Sequence, residues 1–143
     1  MANMNQEDQF RIHLQRAGER VTTPRLVLFR LLAGHTPILA KALTTEAKST
    51  GLDPVTVYRT LKLFMQIGLI QELGYGRHRR YELAGNLTNH HHHLNCTSCG
   101  AIIEVASPQV ETNLSALAET HGFKIERHQL EVFGLCDNCQ EQS

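Results

Sequence analysis

The chain has 143 residues, of which 41% are hydrophobic and 20% charged, as is typical of a globular protein with one ordinary domain or two small ones. It has no apolar run of membrane-spanning length, and its N-terminal stretch lacks the apolar core of a signal peptide, so we expect a cytoplasmic protein with no membrane partner. The formal net charge is zero, but residues up to Leu83 carry 12 basic and 7 acidic side chains, whereas the remainder carries 2 and 7.

This charge asymmetry predicts a basic domain suited to a polyanion, followed by an acidic domain suited to cations. The basic half begins with a run of predicted helices. Phe10, Leu14 and Ala17 lie at helical spacing and indicate the first helix. A second helix is expected to begin with Thr23 as its N-cap, and a third to cover about residues 39 to 49.

A fourth helix and a hairpin complete the basic half. Asp53 is a typical N-cap, and the predicted buried stripe of this helix ends at Met65. The segments "LIQEL", "GYGR" and "HRRYEL" then predict a two-stranded hairpin. Three of these four helices and the hairpin would form a winged helix-turn-helix, a fold whose last helix enters the DNA major groove. The alternative is a small α+β domain that binds no nucleic acid. The exposed polar positions that favour DNA binding are Thr56, Tyr58, Arg59, Lys62, Arg77, Arg79 and Arg80.

The acidic half predicts a small β-β-α-β unit. Its elements are a strand through the histidines, the strand "AIIEV", the helix "PQVETNLSALAETHG" and the strand "KIERHQLEVFGLC". A unit this small needs a metal, disulfides or oligomerisation, and Leu130, Val132 and Phe133 offer a dimer face. The predicted fold class is therefore α+β, with a winged-helix domain (residues 1–83), a hinge (84–89) and a metal-binding dimerisation domain (90–143).

The four cysteines form two Cys-x-x-Cys pairs, separated by the 36 residues from Gly100 to Leu135. In a cytoplasmic chain such pairs indicate a metal site before they indicate disulfides. Four thiolates suit a closed, tetrahedral, structural Zn2+ site, and a redox-active dithiol is the less favoured alternative. The predicted ligands are Cys96, Cys99, Cys136 and Cys139.

Four consecutive histidines precede the first cysteine pair. Alternate side chains of a strand point to opposite faces, so His90 and His92 share one side and His91 and His93 the other. Each pair can begin a separate metal site, which we favour over a purification tag or a solvated loop because the run is internal. Imidazole suits several divalent transition metals, and carboxylates favour the harder ions. The candidate completing ligands are Glu82, Glu104, Glu111, His128 and His35.

The segments "RVTTPRLVLFRLL", "DPVTVYRTLKLFMQIGLI", "HHHHLNCTSCGAIIEV" and "CDNC" together resemble the ferric uptake regulator (Fur) family of bacterial metal-dependent transcription factors. The resemblance covers about residues 10 to 139. It implies a homodimeric repressor, not an enzyme, that binds a palindromic double-stranded DNA operator when its regulatory metal is bound. It implies no small organic substrate.

The resemblance also implies roles for individual residues. The structural zinc ligands would be Cys96, Cys99, Cys136 and Cys139. The regulatory metal ligands would be His35, Glu82, His91, His93 and Glu104. An additional metal site would consist of His90, His92, Glu111 and His128. The DNA-contacting residues would include Arg20, Tyr58 and Arg59, with Thr56 as the further candidate on the same helix.

Departures from the family pattern bear on the choice of regulatory metal. His92 stands where many iron-sensing members have Asp, zinc-sensing members commonly use a regulatory cysteine, and peroxide-sensing members favour Asp at the places of Glu82 and Glu104. Pro37 replaces a polar helix start, which bears on the position of His35. We expect Fe2+ as the regulatory metal, with Mn2+ or Zn2+, and zinc, manganese or peroxide sensing, as alternatives. Outside the family, the alternatives are a zinc metalloenzyme, for which no HExxH motif is present, and a metal-buffering protein.

Overall fold

The computed structural model describes residues 5–34, 37–85 and 87–142. The chain divides into two compact units, Met1–Asn89 and His90–Ser143. Each unit combines helices with a three-stranded sheet, in agreement with the predicted α+β class. Among the described residues, no helix has both the length and the apolar character needed to cross a membrane.

Four helices form most of the first unit. The Asn5 side chain caps the first helix by accepting a hydrogen bond from the Asp8 backbone N–H at 2.8 Å. The predicted N-cap of the second helix was wrong by one residue, since Thr22 occupies that position and makes no capping side-chain hydrogen bond. The helices are α1 (Gln6–Arg16), α2 (Thr23–Ala33), α3 (Ala40–Ser49) and α4 (Pro54–Gln66).

Phe10 of α1 lies at the centre of the apolar core. Its ring stacks on that of Phe29 with centroids 4.3 Å apart, and it meets Phe64 edge-on at 5.7 Å. The core therefore joins α1, α2 and α4 through three aromatic rings. Met65 was predicted to be buried but is 40% exposed, because it lies at the edge of the stripe formed by Val57, Leu61 and Phe64.

The predicted hairpin is present as β2 (Ile70–Leu73) and β3 (Arg80–Leu83), linked by a short 3-10 turn. A two-residue strand, β1 (Ile38–Leu39), also pairs with β3 and gives the strand order β1-β3-β2. Gly74 begins the turn at φ +76°, and a Cβ there would approach the His78 carbonyl oxygen to 2.6 Å, so only glycine fits.

The segment predicted as a hinge packs with the first unit. Leu87 is buried in the apolar core, and its carbonyl accepts a hydrogen bond from Gln6 Nε2 at 2.9 Å. The Ala84 N–H donates to the Leu69 carbonyl at 2.9 Å, which continues the pairing beyond β3. Contacts to α1 and the hairpin thus order much of this polar stretch.

The second unit contains the predicted β-β-α-β order and ends in a short helix. Parallel pairing of the first and last strands places the first strand in the middle, in the order β5-β4-β6. The predicted last strand was too long, because residues 124 to 130 lie outside any strand. The elements are β4 (His92–Cys96), β5 (Ile102–Val105), α5 (Pro108–Thr120), β6 (Glu131–Gly134) and α6 (Asp137–Gln140).

The second unit has almost no apolar core. In its described part, no aliphatic or phenyl side chain is buried. Leu94, Ile103 and Val132 pair across the three strands and leave one face of the sheet apolar and partly exposed. Phe133 pairs with Asn95 and therefore lies on the opposite face from Val132, so the predicted dimer residues do not share one face. The buried side chains are His92, His93, Asn95 and Cys96.

Candidate functional site

The four cysteines come together at one end of the second unit. Their sulfur atoms lie within 4.8 Å of one another, and Cys99 Sγ is 3.8 Å from Cys136 Sγ. Zn–S bonds of about 2.3 Å in tetrahedral geometry place sulfur atoms about 3.8 Å apart. The spacing therefore fits a single zinc ion, and all four cysteines are free of disulfides.

Backbone hydrogen bonds favour a thiolate in this group. The Cys136 N–H donates to Cys96 Sγ at 3.4 Å and, with the Cys99 N–H, lowers the pKa of Cys96 to about 5. The Cys139 N–H lowers the pKa of Cys136, but the adjoining sulfur atoms and burial together raise it to about 11. Ionisation of one thiol thus disfavours ionisation of its neighbours. A bound cation would offset the negative charge of the thiolates, as in a metal site.

A second group combines three imidazoles and one carboxylate. His92 Nε2 lies 2.6 Å from Glu111 Oε1, and His90 Nε2 lies 3.2 Å from the same oxygen. His128 Nε2 is 3.3 Å from Glu111 Oε2 and 2.9 Å from His90 Nε2. The group joins the start of β4, the first turn of α5 and the segment before β6, so elements far apart in sequence supply one donor set.

The same contacts act on the Glu111 carboxyl. Burial raises the pKa of Glu111, but the hydrogen bond from His92 and the charges of the neighbouring imidazoles outweigh burial, and the net effect lowers it. An ionised carboxylate with three converging imidazoles offers the nitrogen and oxygen donors that divalent transition metals accept. The buried Nδ1 of His92 has no hydrogen-bond partner among the described residues.

A third group lies on the other side of β4. His91 and His93 have ring centroids 4.8 Å apart, and His93 is paired in register with Glu104 of β5. Ligand atoms of these three residues lie within 4.8 Å of one another. His93 is buried and Glu104 is exposed. Among the described residues of the second unit, no donor group of three or more exists beyond these three.

The two remaining predicted regulatory ligands belong to the first half of the chain. Glu82 lies on β3 and is only 5% exposed. Gln71 on the neighbouring strand β2 donates a 2.5 Å hydrogen bond from its Nε2 to Glu82 Oε1. A buried carboxylate held by an amide in this way has a fixed orientation. His35 lies outside the described residues.

The structure contains one buried polar residue in the second unit that sequence reasoning missed. Asn95 lies on β4 and donates from Nδ2 to Glu131 Oε2 on β6 at 3.0 Å. This side chain is on the His93 side of the strand and supports the pairing of β4 with β6. The signal in the sequence was an asparagine in a strand, between Leu94 and Cys96, where an apolar residue is expected.

The candidate DNA-contacting residues lie on α4 and before α2. Tyr58 is 52% exposed, Arg59 is also exposed, and Arg20 is exposed in the irregular segment that precedes α2. Thr56 is half-buried, and its N–H and hydroxyl both donate to the Asp53 carboxylate, at 3.0 and 2.6 Å. Thr56 therefore contributes to the helix cap, whatever else it contacts. The further basic residues of the helix and wing are Lys62, Arg77 and Arg79, all exposed, and Arg80, which is half-buried.

Comparison with known proteins gives these sites a context. The sequence profile of the Ferric uptake regulator family matches residues 16–133. The chain belongs to this family. A Fur relative, the ferric uptake regulation protein of Campylobacter jejuni, is 33% identical over 94% of this chain and 88% of its own length. The peroxide operon regulator of Bacillus subtilis is 30% identical over 90% of each chain.

The fold of the chain also matches Fur structures. The Helicobacter pylori ferric uptake regulator Fur, described with three functional metal binding sites, superposes with a TM-score of 0.77 at 25% identity. That match covers 98% of this chain and 97% of the Helicobacter chain. Fur-family proteins are metal-binding transcriptional repressors with a winged-helix fold, and not enzymes. The chain is therefore a Fur-family metal-responsive transcriptional regulator.

Proposed function

We propose that this chain is a cytoplasmic, homodimeric repressor that binds a palindromic DNA operator when Fe2+ occupies its regulatory site. The proposal is carried by one observation: β4 supplies donors to three separate groups, in a unit whose described part buries no aliphatic or phenyl side chain. The first half of the same chain presents an exposed tyrosine and arginine on α4. Metal binding and DNA binding are thus joined in one chain.

The regulatory site is assigned to His91, His93 and Glu104, completed by Glu82 and His35. His91 and His93 offer imidazole nitrogens from the start of β4, and Glu104 offers a carboxylate from β5. A divalent cation bound there would supply positive charge and directional bonds to these donors. Glu82 and His35 belong to the winged-helix half, so their recruitment would fix that half relative to the dimerisation half and set the spacing of the two recognition helices.

The donor chemistry favours iron over zinc. The assigned site contains imidazoles and carboxylates and no thiolate, since all four cysteines lie in their own group. Carboxylate oxygens shift preference towards Fe2+ and Mn2+, whereas zinc is favoured by soft thiolates. Zn2+ is assigned to the four cysteines. The group of His90, His92, Glu111 and His128 is proposed to bind a further divalent cation that holds α5 against β4.

Dimerisation is assigned to the apolar face of the second sheet. Leu94, Ile103 and Val132 are each between 39% and 52% exposed on one face. A surface of this kind in a unit without a core of its own is suited to a second copy of the chain. Fur-family regulators bind DNA as dimers, which supports this assignment.

The test is a DNA-binding titration with zinc-loaded protein. We expect operator affinity to rise steeply on addition of Fe2+ or Mn2+, and the rise to be absent in the double variant His91→Ala/His93→Ala, which lacks two donors. His121→Ala removes an exposed histidine outside the three groups and is expected to respond like wild type. Equal operator binding with and without added metal in the wild type would contradict the proposal.

Similarity to the Bacillus regulator keeps peroxide sensing as the second candidate. Adding hydrogen peroxide to the operator complex in the same titration distinguishes iron sensing from peroxide sensing. Iron sensing predicts that brief exposure leaves the Fe2+ and Mn2+ complexes equally stable. Selective release of the Fe2+ complex would favour the peroxide-responsive alternative.

A further inference from the structure

An exposed valine lies in the first turn of α4. Val55 is 65% exposed and is not part of the apolar core. It precedes Tyr58 by three residues and Arg59 by four, so the three side chains share one face of the helix. This face also contains the exposed Lys62, one turn further along. An apolar side chain thus stands at the N-terminal end of an otherwise polar, basic face.

The surroundings of Val55 are fixed by the helix cap. Asp53 accepts hydrogen bonds from the Thr56 N–H and hydroxyl, at 3.0 and 2.6 Å, and Pro54 occupies the first helical position. The Thr56 hydroxyl hydrogen is therefore engaged within the protein. Val55 is β-branched and stiff at χ1, so its two methyl groups are held in one orientation on a rigid turn.

Only one group in the major groove is apolar, and it is the C5 methyl group of thymine. Recognition helices of helix-turn-helix proteins present their N-terminal residues to base edges. We propose that Val55 reads a thymine methyl group in each half-site of the operator, beside the contacts made by Tyr58 and Arg59. This inference rests on the proposed function, because it requires that α4 enter the major groove.

The contact would act as a specificity determinant. Apolar packing on the methyl group distinguishes thymine from cytosine and from uracil without a hydrogen bond. A phosphate contact, such as one from Lys62, strengthens binding to every sequence alike. Val55 is thus expected to alter which sequence is chosen, and Lys62 to alter how tightly any sequence is bound.

The experiment removes the methyl group from the DNA and its partner from the protein. Operator duplexes are selected from a randomised library with Mn2+-loaded full-length protein, and each thymine is then replaced singly by deoxyuridine. At one thymine in each half-site, we expect replacement to weaken wild-type binding about fourfold, as the burial of one methyl-sized group predicts. Val55→Ala is expected to bind thymine and uracil equally at that position.

Two variants on the same helix serve as controls. Met65→Ala removes another exposed apolar side chain about 15 Å along the helix, and should retain the preference for thymine. Lys62→Ala should weaken binding to both duplexes by the same factor. Alanine is well tolerated in helices, so the variants are expected to fold.

The inference is overturned if Val55→Ala discriminates thymine from uracil as well as wild type does at every position. It is also overturned if Tyr58→Ala abolishes the discrimination while Val55→Ala retains it. If no sequence is selected in a metal-dependent way, both the proposed function and the inference are contradicted. If an operator is selected but Val55→Ala does not change the preference for thymine, only the inference is contradicted.

Discussion

At the scale of single residues, Asp53 determines how α4 begins. Hydrogen bonds from the Thr56 hydroxyl and N–H lower the pKa of the Asp53 carboxyl below its usual value of 3.8. A group whose pKa is lowered by folding stabilises the native state above its unfolded pKa, and this contribution disappears as the pH falls through the folded pKa. The contribution of the Asp53 charge to the cap is therefore fully present at neutral pH and lost in acid.

We expect Asp53→Ala to lower the melting temperature of the first unit by a few degrees at pH 7, because the cap of α4 is removed. As the pH falls through the lowered pKa of Asp53, the difference from wild type should shrink, since the protonated carboxyl no longer accepts charge-assisted hydrogen bonds. Asp53→Asn is the matched control, as its amide oxygen caps without titrating. Calorimetry across this pH range provides the measurement, and a difference that persists unchanged in acid would contradict the role of the charge.

Residue types, rather than distances, allowed much of the site to be predicted. Cys-x-x-Cys pairs require no fold to be recognised, because a tight turn alone brings two sulfur atoms together. The partners of Glu111 and Glu104 followed only from the parity of a strand and from family resemblance. Asn95 escaped prediction because a buried amide depends on a partner, Glu131, that is 36 residues away.

At the scale of elements, two adjacent residues of β4 belong to two different donor groups. His92 contacts Glu111 on one side of the strand, whereas His93 pairs with Glu104 on the other. We expect His92→Ala and His93→Ala each to remove a single metal equivalent per protomer, and the double variant to remove both. Elemental analysis after dialysis measures this, with His121→Ala as the control.

If the two histidines served one shared site, the double variant would lose no more metal than either single variant. The two single variants are also expected to differ in function. His93→Ala should lose the response of operator affinity to added metal, because His93 belongs to the assigned regulatory site. His92→Ala should retain a metal response if the second sheet remains folded, and an identical loss in both would contradict the division of the strand into two sides.

Local signals predicted the helices better than the strands. Caps such as Asp53 and terminating glycines act within a few residues, so they are visible in the sequence. The strand β1 has only two residues and exists because β3 offers it hydrogen bonds, which no local pattern reveals. The last strand shrank to Glu131–Gly134 because only this part pairs with β4. Residues 124 to 130 lie outside any strand.

At the scale of the whole molecule, the two units draw on different sources of stability. The first unit has an aromatic and aliphatic core, whereas the described part of the second buries no aliphatic or phenyl side chain. Structural zinc contributes on the order of 10 kcal/mol to the folding of small domains. The second unit is therefore expected to depend on its metals and on a second copy of the chain.

Cys99→Ser should unfold the second unit and leave the first intact, because it removes one of the four proposed zinc ligands. Hydrogen exchange followed by mass spectrometry is expected to show lost protection in β4, β5 and β6, with protection in α1, α2 and α4 retained. Ser98→Ala changes the neighbouring residue of the same turn and should behave like wild type. Uniform loss of protection in both units would contradict independent stabilisation.

Val132→Glu tests the dimer face of the second sheet. A carboxylate on this half-exposed apolar surface should oppose burial against a second copy, so the protein is expected to become monomeric in sedimentation experiments. Leu117→Glu places the same carboxylate on an exposed apolar residue of α5 instead. The two variants thus compare the helix with the sheet as the dimer surface. A Val132→Glu protein that remains dimeric at wild-type affinity would place the interface elsewhere.

The central position of β4 in its sheet also constrains which insertions and deletions this sequence can tolerate. Cys96 is held in the cysteine group. The number of residues between Cys96 and a preceding residue therefore determines the face of the sheet on which that residue lies. Deleting Leu94 or Asn95 would move all four histidines to the opposite face and exchange the partners Glu104 and Glu111. Deleting one histidine would instead leave three in place and remove only the outermost donor, because the four residues are identical. Deleting two would preserve the faces but empty one donor position on each. Substitutions can thus accumulate in this strand one at a time, whereas insertions and deletions between the histidines and Cys96 would have to preserve its parity.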